Sequence, residues 1–73
     1  MNPKFLSVGT PEVRIIEECG ELIQELCKVQ RFGLLNWHPD DPNRVPNIRR
    51  VKSEIDDVKE AIANWEAIYS RYL

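Results

Sequence analysis

The sequence predicts an all-α fold: a helical hairpin of two long helices that oligomerises into a four-helix-bundle-type assembly. Two stretches, Pro11 to Phe32 and Asn47 onward, carry apolar residues at helical spacing, and the segment between them has prolines and no helical period. The 73 residues, 42% of them hydrophobic, suffice for one compact domain and not for two. A chain of this size buries only roughly 60% of the surface that its unfolded form exposes, so association or a metal is expected to complete it.

Residues 1–10 read as an extended N-terminal arm. Thr10, Pro11 and Glu12 then form a helix start in the expected order: a capping oxygen, a preset φ, and a carboxylate at the positive end. Helix one is predicted over 11–32, with Gly33 as its stop. Residues 33–46 are a loop, rich in Pro, Asp and Asn. Helix two is predicted over 47–73, with no Gly or Pro to interrupt it and a length of about 40 Å if fully formed. Its Ile48, Val51, Ile55, Val58, Ile62, Trp65, Tyr69 and Tyr72 keep a 3-4-3-4 spacing, which is a packing seam. On helix one, Ile15, Ile16, Cys19, Leu22, Ile23, Leu26 and Val29 span nearly half the circumference, more than one partner helix covers. Other copies of the hairpin are the expected partners, as a dimer or tetramer.

Charge narrows the function classes. Ten Lys+Arg against 12 Asp+Glu give a net charge of −2 without a basic block, which argues against nucleic acid or an anionic membrane as partner. A polyanionic ligand would need a cation as intermediary. No apolar run approaches the roughly 18 residues of a membrane span, and Met1-Asn2-Pro3-Lys4 does not open a signal peptide, so a cytoplasmic protein is expected. Cys19 and Cys27 lie eight apart on one helix, about 12 Å along its axis, too far to bridge and without a metal-binding spacing. They read as small apolar packers.

The chemistry lies in the carboxylates. At 100° per residue, Arg14, Glu18, Glu21, Glu25 and Lys28 form one ionic row on helix one. Glu54 and Asp57 share an edge of helix two, whereas Asp56 points away, between Lys52 and Lys59. In an antiparallel hairpin the Glu18/Glu21 and Glu54/Asp57 pairs differ in depth by about one turn, so a modest stagger gathers four carboxylates. Two such charges 6 Å apart repel by roughly 1 to 3 kcal/mol, and a hard divalent cation relieves this. Oxygen-only ligands without His or thiolate select Mg²⁺, or Mn²⁺, over zinc or copper. A di-iron site is excluded because it needs Glu-x-x-His pairs and the only histidine, His38, is in the loop.

Glu17-Glu18-Cys19-Gly20-Glu21-Leu22 followed by Glu54-Ile55-Asp56-Asp57-Val58 resembles the EExxE and ExxD motifs of MazG-like nucleoside triphosphate pyrophosphohydrolases. That all-α superfamily also holds dimeric dUTPases and phosphoribosyl-ATP pyrophosphohydrolases. Lys28-Val29-Gln30-Arg31-Phe32-Gly33 is similar to the end of the first motif helix in small, often phage-encoded members. The resemblance spans roughly residues 12 to 65. It implies Glu18, Glu21, Glu54 and Asp57 as Mg²⁺ ligands and hydrolysis of a nucleoside triphosphate to the monophosphate and pyrophosphate. Many relatives continue into further helices that help grip phosphates; here Lys28, Arg31, Arg49 and Arg50 are the available substitutes.

In such a site Glu17, or a carboxylate only loosely bound to the metal among Glu18 and Glu21, takes the proton of the attacking water. Phe32 and Trp37 flank the loop as candidate stacking faces for a nucleobase, with Asn36 or His38 to read its edge. Against this stand two blander readings: Trp37 as a core or interface anchor, and the whole chain as a non-catalytic self-assembling interaction module. A metal-stabilised structural bundle is a third.

Overall fold

The computed structural model describes residues 9–73. The arm expected over residues 1–10 lies outside them except for Gly9 and Thr10. Two α-helices, α1 (Pro11–Phe32) and α2 (Asn47–Ile68), pack as an antiparallel hairpin with no strands among the described residues. A short 3₁₀ turn, Ser70–Tyr72, follows. None of these helices is long and apolar enough to cross a membrane.

Each helix end has a cause in the sequence. At the start of α1 the Thr10 hydroxyl accepts from the Val13 amide at 3.2 Å, and Pro11 needs no partner for a missing N–H. At its end Gly33, with φ of 91°, turns the chain in a region closed to most side chains while its N–H reaches the Val29 carbonyl. The start of α2 is built differently. Pro46 offers no capping side chain, and the loop supplies carbonyls instead: Asn47 N–H donates to Asn36 O at 2.7 Å and Ile48 N–H to Leu34 O at 2.9 Å. Asn47, fully buried, also donates from its side chain to Gly33 O, tying both ends of the loop together.

Helix two is shorter than the 47–73 span expected from the sequence. Regular α geometry ends at Ile68, and the chain tightens through Tyr69 into i→i+3 hydrogen bonds, Tyr72 to Tyr69 and Leu73 to Ser70. With no Gly to terminate it, the last turn satisfies its carbonyls by this narrower winding while Trp65, Tyr69 and Tyr72 stack in sequence along it.

The faces in contact also differ from the expected seam. The surface of α2 turned to α1 holds Asn47, Val51 and Ala61, all buried, with Glu54 and Asp57 between them. Ile48 and Ile62 are left 42% and 40% exposed. On α1 the buried residue is Glu18, while Ile16, Ile23 and Leu26 are exposed. Measured at about 100° per residue from Glu18 and Glu54, these exposed residues fall some 80 to 160° round each helix. Because the helices are antiparallel, both sets fall on the same side of the hairpin and form one apolar flank. The ionic edges thus share the contact with part of the expected seam, where Val51 is buried and Ile55, Val58 and Trp65 are half-buried.

Candidate metal centre

Antiparallel register is fixed at the open end of the hairpin, where the Trp65 indole N–H donates to Glu12 Oε1 at 2.9 Å and Arg14 pairs with Glu60 at 3.7 Å. Continued down the helices, this register brings Glu18 and Glu21 level with Asp57 and Glu54. Each of the four offers one carboxylate oxygen, and these oxygens all lie within 4.8 Å of one another. The expected gathering of the two motif pairs is therefore present, two acids from each helix.

The four are not a solvated surface patch. Glu18 is only 3% exposed and the other three are half-buried. One oxygen of Glu18 and one of Glu54, Oε2 in each, is shut away from solvent without a hydrogen-bond partner. Burial, then the charge of Glu21, pushes the Glu18 carboxyl above its ordinary range. Glu54 rises for the same reasons in the same order, with Asp57 and Glu18 adding to the repulsion. A buried acceptor that lacks a donor costs free energy unless something outside the chain supplies the positive partner.

The donor set suits a hard cation. Oxygens about one octahedral Mg²⁺ stand roughly 3 to 4.2 Å apart, given ligand distances of about 2.0 to 2.1 Å, so a spread of at most 4.8 Å needs only a small contraction. No histidine or thiol is in the group, and the two cysteines are free, Cys19 half-buried and Cys27 exposed. Cys27, read from the sequence as a small apolar packer, is thus exposed. Glu17 is half-buried next to Glu18 and is not one of the four.

The cations proposed to grip phosphates are differently engaged. Lys28 holds Glu25 at 3.1 Å, and Arg50 holds Asp41 at 2.6 Å. Both line an open cleft of about 320 Å³ with His38, Asp40 and Pro42, beside the loop. Arg31 and Arg49 are exposed. Of the residues suggested for a base, Phe32 and His38 are brought together, ring edge to ring face at 5.5 Å. Trp37 is 39% exposed, carries the Arg44 guanidinium 5.5 Å from its ring, and joins the loop to the start of α2 through a bridge with Pro46. Asn36 is exposed, and its backbone carbonyl is taken by the α2 amide of Asn47.

Two residues that organise this end of the molecule were not singled out in the sequence. Asp41 accepts from the amides of Asn43 and Val45, each at 2.9 Å, and from Arg50, and these bonds hold its carboxyl below the ordinary range, the Arg50 contact most of all. The Asp-Pro-Asn run is an Asx-turn signal that announces such a role. Asn47 had only its position after a proline to mark it.

No family model, curated protein or solved structure matches this chain.

Proposed function

We propose that the chain is a Mg²⁺-dependent nucleotide pyrophosphohydrolase of MazG-like type, with Mn²⁺ as a competent substitute. The observation that carries this reading is the four-acid cluster split between two helices, in which Glu18 Oε2 and Glu54 Oε2 are buried without a hydrogen-bond partner among the described residues. Glu18, Glu21, Glu54 and Asp57 would hold the ion. When bound, it supplies charge compensation for a triphosphate and a lower pKa for a nearby water. The rest falls to side chains. Glu17, or Glu21 at the more open side of the cluster, accepts the proton as the water oxygen bonds to the α-phosphorus and the bond to the β-phosphate oxygen breaks, releasing pyrophosphate. Arg31 and Arg49, with Lys28 and Arg50 released from their acids, meet the phosphates; Phe32 and Trp37 offer faces to the base, and Asn36 and His38 offer polar edges to read it.

Self-association belongs to the same reading. The flank formed by Ile16, Ile23, Leu26, Ile48 and Ile62 is exposed on one side of the hairpin, and a second copy laid against it would complete a four-helix bundle. Glu21 and Asp57 lie toward the other side, so assembly leaves the cluster open to substrate. The free thiols suit the reducing cytoplasm, where nucleoside triphosphates are found. The same flank is what favours the second reading, an assembling helical module without turnover.

A panel of ribo- and deoxyribonucleoside triphosphates assayed for pyrophosphate release decides between them. Release that requires Mg²⁺ and yields the monophosphate is expected. A protein that sediments as an oligomer and releases no pyrophosphate from any of them is the module.

A further inference from the structure

We infer that the divalent cation is also the clasp of the hairpin: without it the middles of α1 and α2 part, and with it they close. The inference rests on the metal reading above and adds a consequence for the fold.

The first argument is where the ligands come from. Two acids belong to α1 and two to α2, so any ion they share bridges the helices. The second is what else lies in the seam. Among the described residues only Val51 and Ala61 are buried apolar side chains; the other two buried residues are Glu18 and Asn47. The larger aliphatic groups Ile16, Ile23 and Ile62 lie out on the flank and do not weld α1 to α2. The third is that Glu18 Oε2 and Glu54 Oε2, like Glu25 Oε2 and Asn47 Oδ1, are buried without a hydrogen-bond partner, and that Glu18 and Glu54 belong to the four acids that each place a carboxylate oxygen within 4.8 Å of the others. At mid-hairpin, then, four acids share the contact with buried Val51 and Ala61 and with side chains such as Leu22, Ile55 and Val58 that are only half-buried.

The ends are fastened by other means. Asp41, Arg50 and Asn47 knot the loop, and Glu12–Trp65 with Arg14–Glu60 tie the open end. Separation is therefore local, confined to the two or three turns around the acids. A helix freed of tertiary packing in water is marginal over so short a length, so its amides lose protection when the seam opens.

The test is hydrogen exchange on the full chain, in EDTA and with saturating Mn²⁺, alongside calorimetric titration with Mn²⁺ alone. Amides of Glu18–Glu25 and Val51–Ala61 should gain protection by tenfold or more with the ion, whereas Asn43 and Val45, held by Asp41, should change little. Glu54→Gln should raise seam protection in EDTA and erase the response; Asp57→Asn serves equally if that variant does not fold. Mn²⁺ binding with no change at the seam, or with an equal change throughout the chain, overturns the clasp and leaves the metal site standing. Absence of binding overturns both.

Discussion

Two groups of acids in this molecule are set up in opposite ways. Asp41, in the loop, sits among donors: two backbone amides and the Arg50 guanidinium converge on it, and its carboxyl is held below the usual range. Glu18 and Glu54, in the seam, sit among other acids, and their carboxyls are pushed above it. Glu25 and Asp56 likewise each have a cation in contact, Lys28 and Lys52. An acid whose charge serves the fold comes with its counter-charge built in. Glu18 and Glu54 form no ion pair among the described residues, and it is this contrast with Asp41 that supports the proposed cation site.

The largest expected effect separates the two groups by activity. Glu18→Gln, Glu21→Gln, Glu54→Gln and Asp57→Asn each keep shape and remove one of the proposed anionic ligands. Each should lower Mg²⁺-dependent pyrophosphate release by roughly a hundredfold or more, on the scale of removing one preorganised stabilising group from an active site. Metal-free melting temperature should hold or rise, because one of several repelling charges is gone. A fall in that temperature with activity intact would make the cluster a structural ion network.

Asp41→Asn should give the reverse pattern. The amide still accepts from Asn43 and Val45 but no longer binds the guanidinium as an anion. A drop of roughly 5 °C in melting temperature is expected, with Mn²⁺ affinity nearly unchanged. Loss of Mn²⁺ affinity in this variant would mean that the loop knot and the cluster are one unit.

Acidification sharpens the contrast. Glu18 and Glu54 bind protons more readily in the folded state than at the ordinary 4.5, so the metal-free protein should gain stability as pH falls through their raised values, the gain being complete below 4.5. For Asp41 the sign is opposite: its contribution is full above the ordinary 3.8 and is lost as pH falls through its lower folded value. Melting temperature in EDTA should therefore climb on acidification from neutral pH and turn down below about pH 4. Saturating Mg²⁺ should invert the first limb, since protons then compete with the ion. A metal-free curve that falls monotonically from pH 7 would contradict the seam assignment.

How much of this was legible in the sequence depends on the kind of signal. Thr10-Pro11-Glu12 and Gly33 mark the bounds of α1 because capping is local chemistry. The four acids were legible because i,i+3 spacing puts each pair on one edge, and a hairpin has only one way to bring two edges together. The seam was not. Ile48, Ile55 and Ile62 have the spacing of a packing stripe, and periodicity gives a stripe without saying what covers it. Here Val51 is buried and Ile55, Val58 and Trp65 are half-buried, while the acids take the rest of the inner face and leave Ile48 and Ile62 exposed. The end of α2 at Ile68 was hidden because a tightening last turn needs no Gly or Pro. Asn47 was hidden because its partner, Gly33 O, is 14 residues away.

The smallest expected effect is the most exacting. Asp56 is one residue from the proposed ligand Asp57 and within the same ExxD stretch, yet it lies on the outer face of α2, ion-paired with Lys52 one turn away. Both side chains are more than half exposed, where solvent and salt screen such a pair and its contribution to stability is small. Asp56→Asn should thus leave pyrophosphate release and Mn²⁺ affinity unchanged and shift melting temperature by no more than a few degrees. Since Asp56→Asn and Asp57→Asn remove the same charge from adjacent positions, any effect of net charge or local composition appears in both. Only a difference in where the carboxylate points separates them. If Asp56→Asn silences the protein and Asp57→Asn does not, the helix is rotated by about 100° from the placement described, and the cluster is built from other acids.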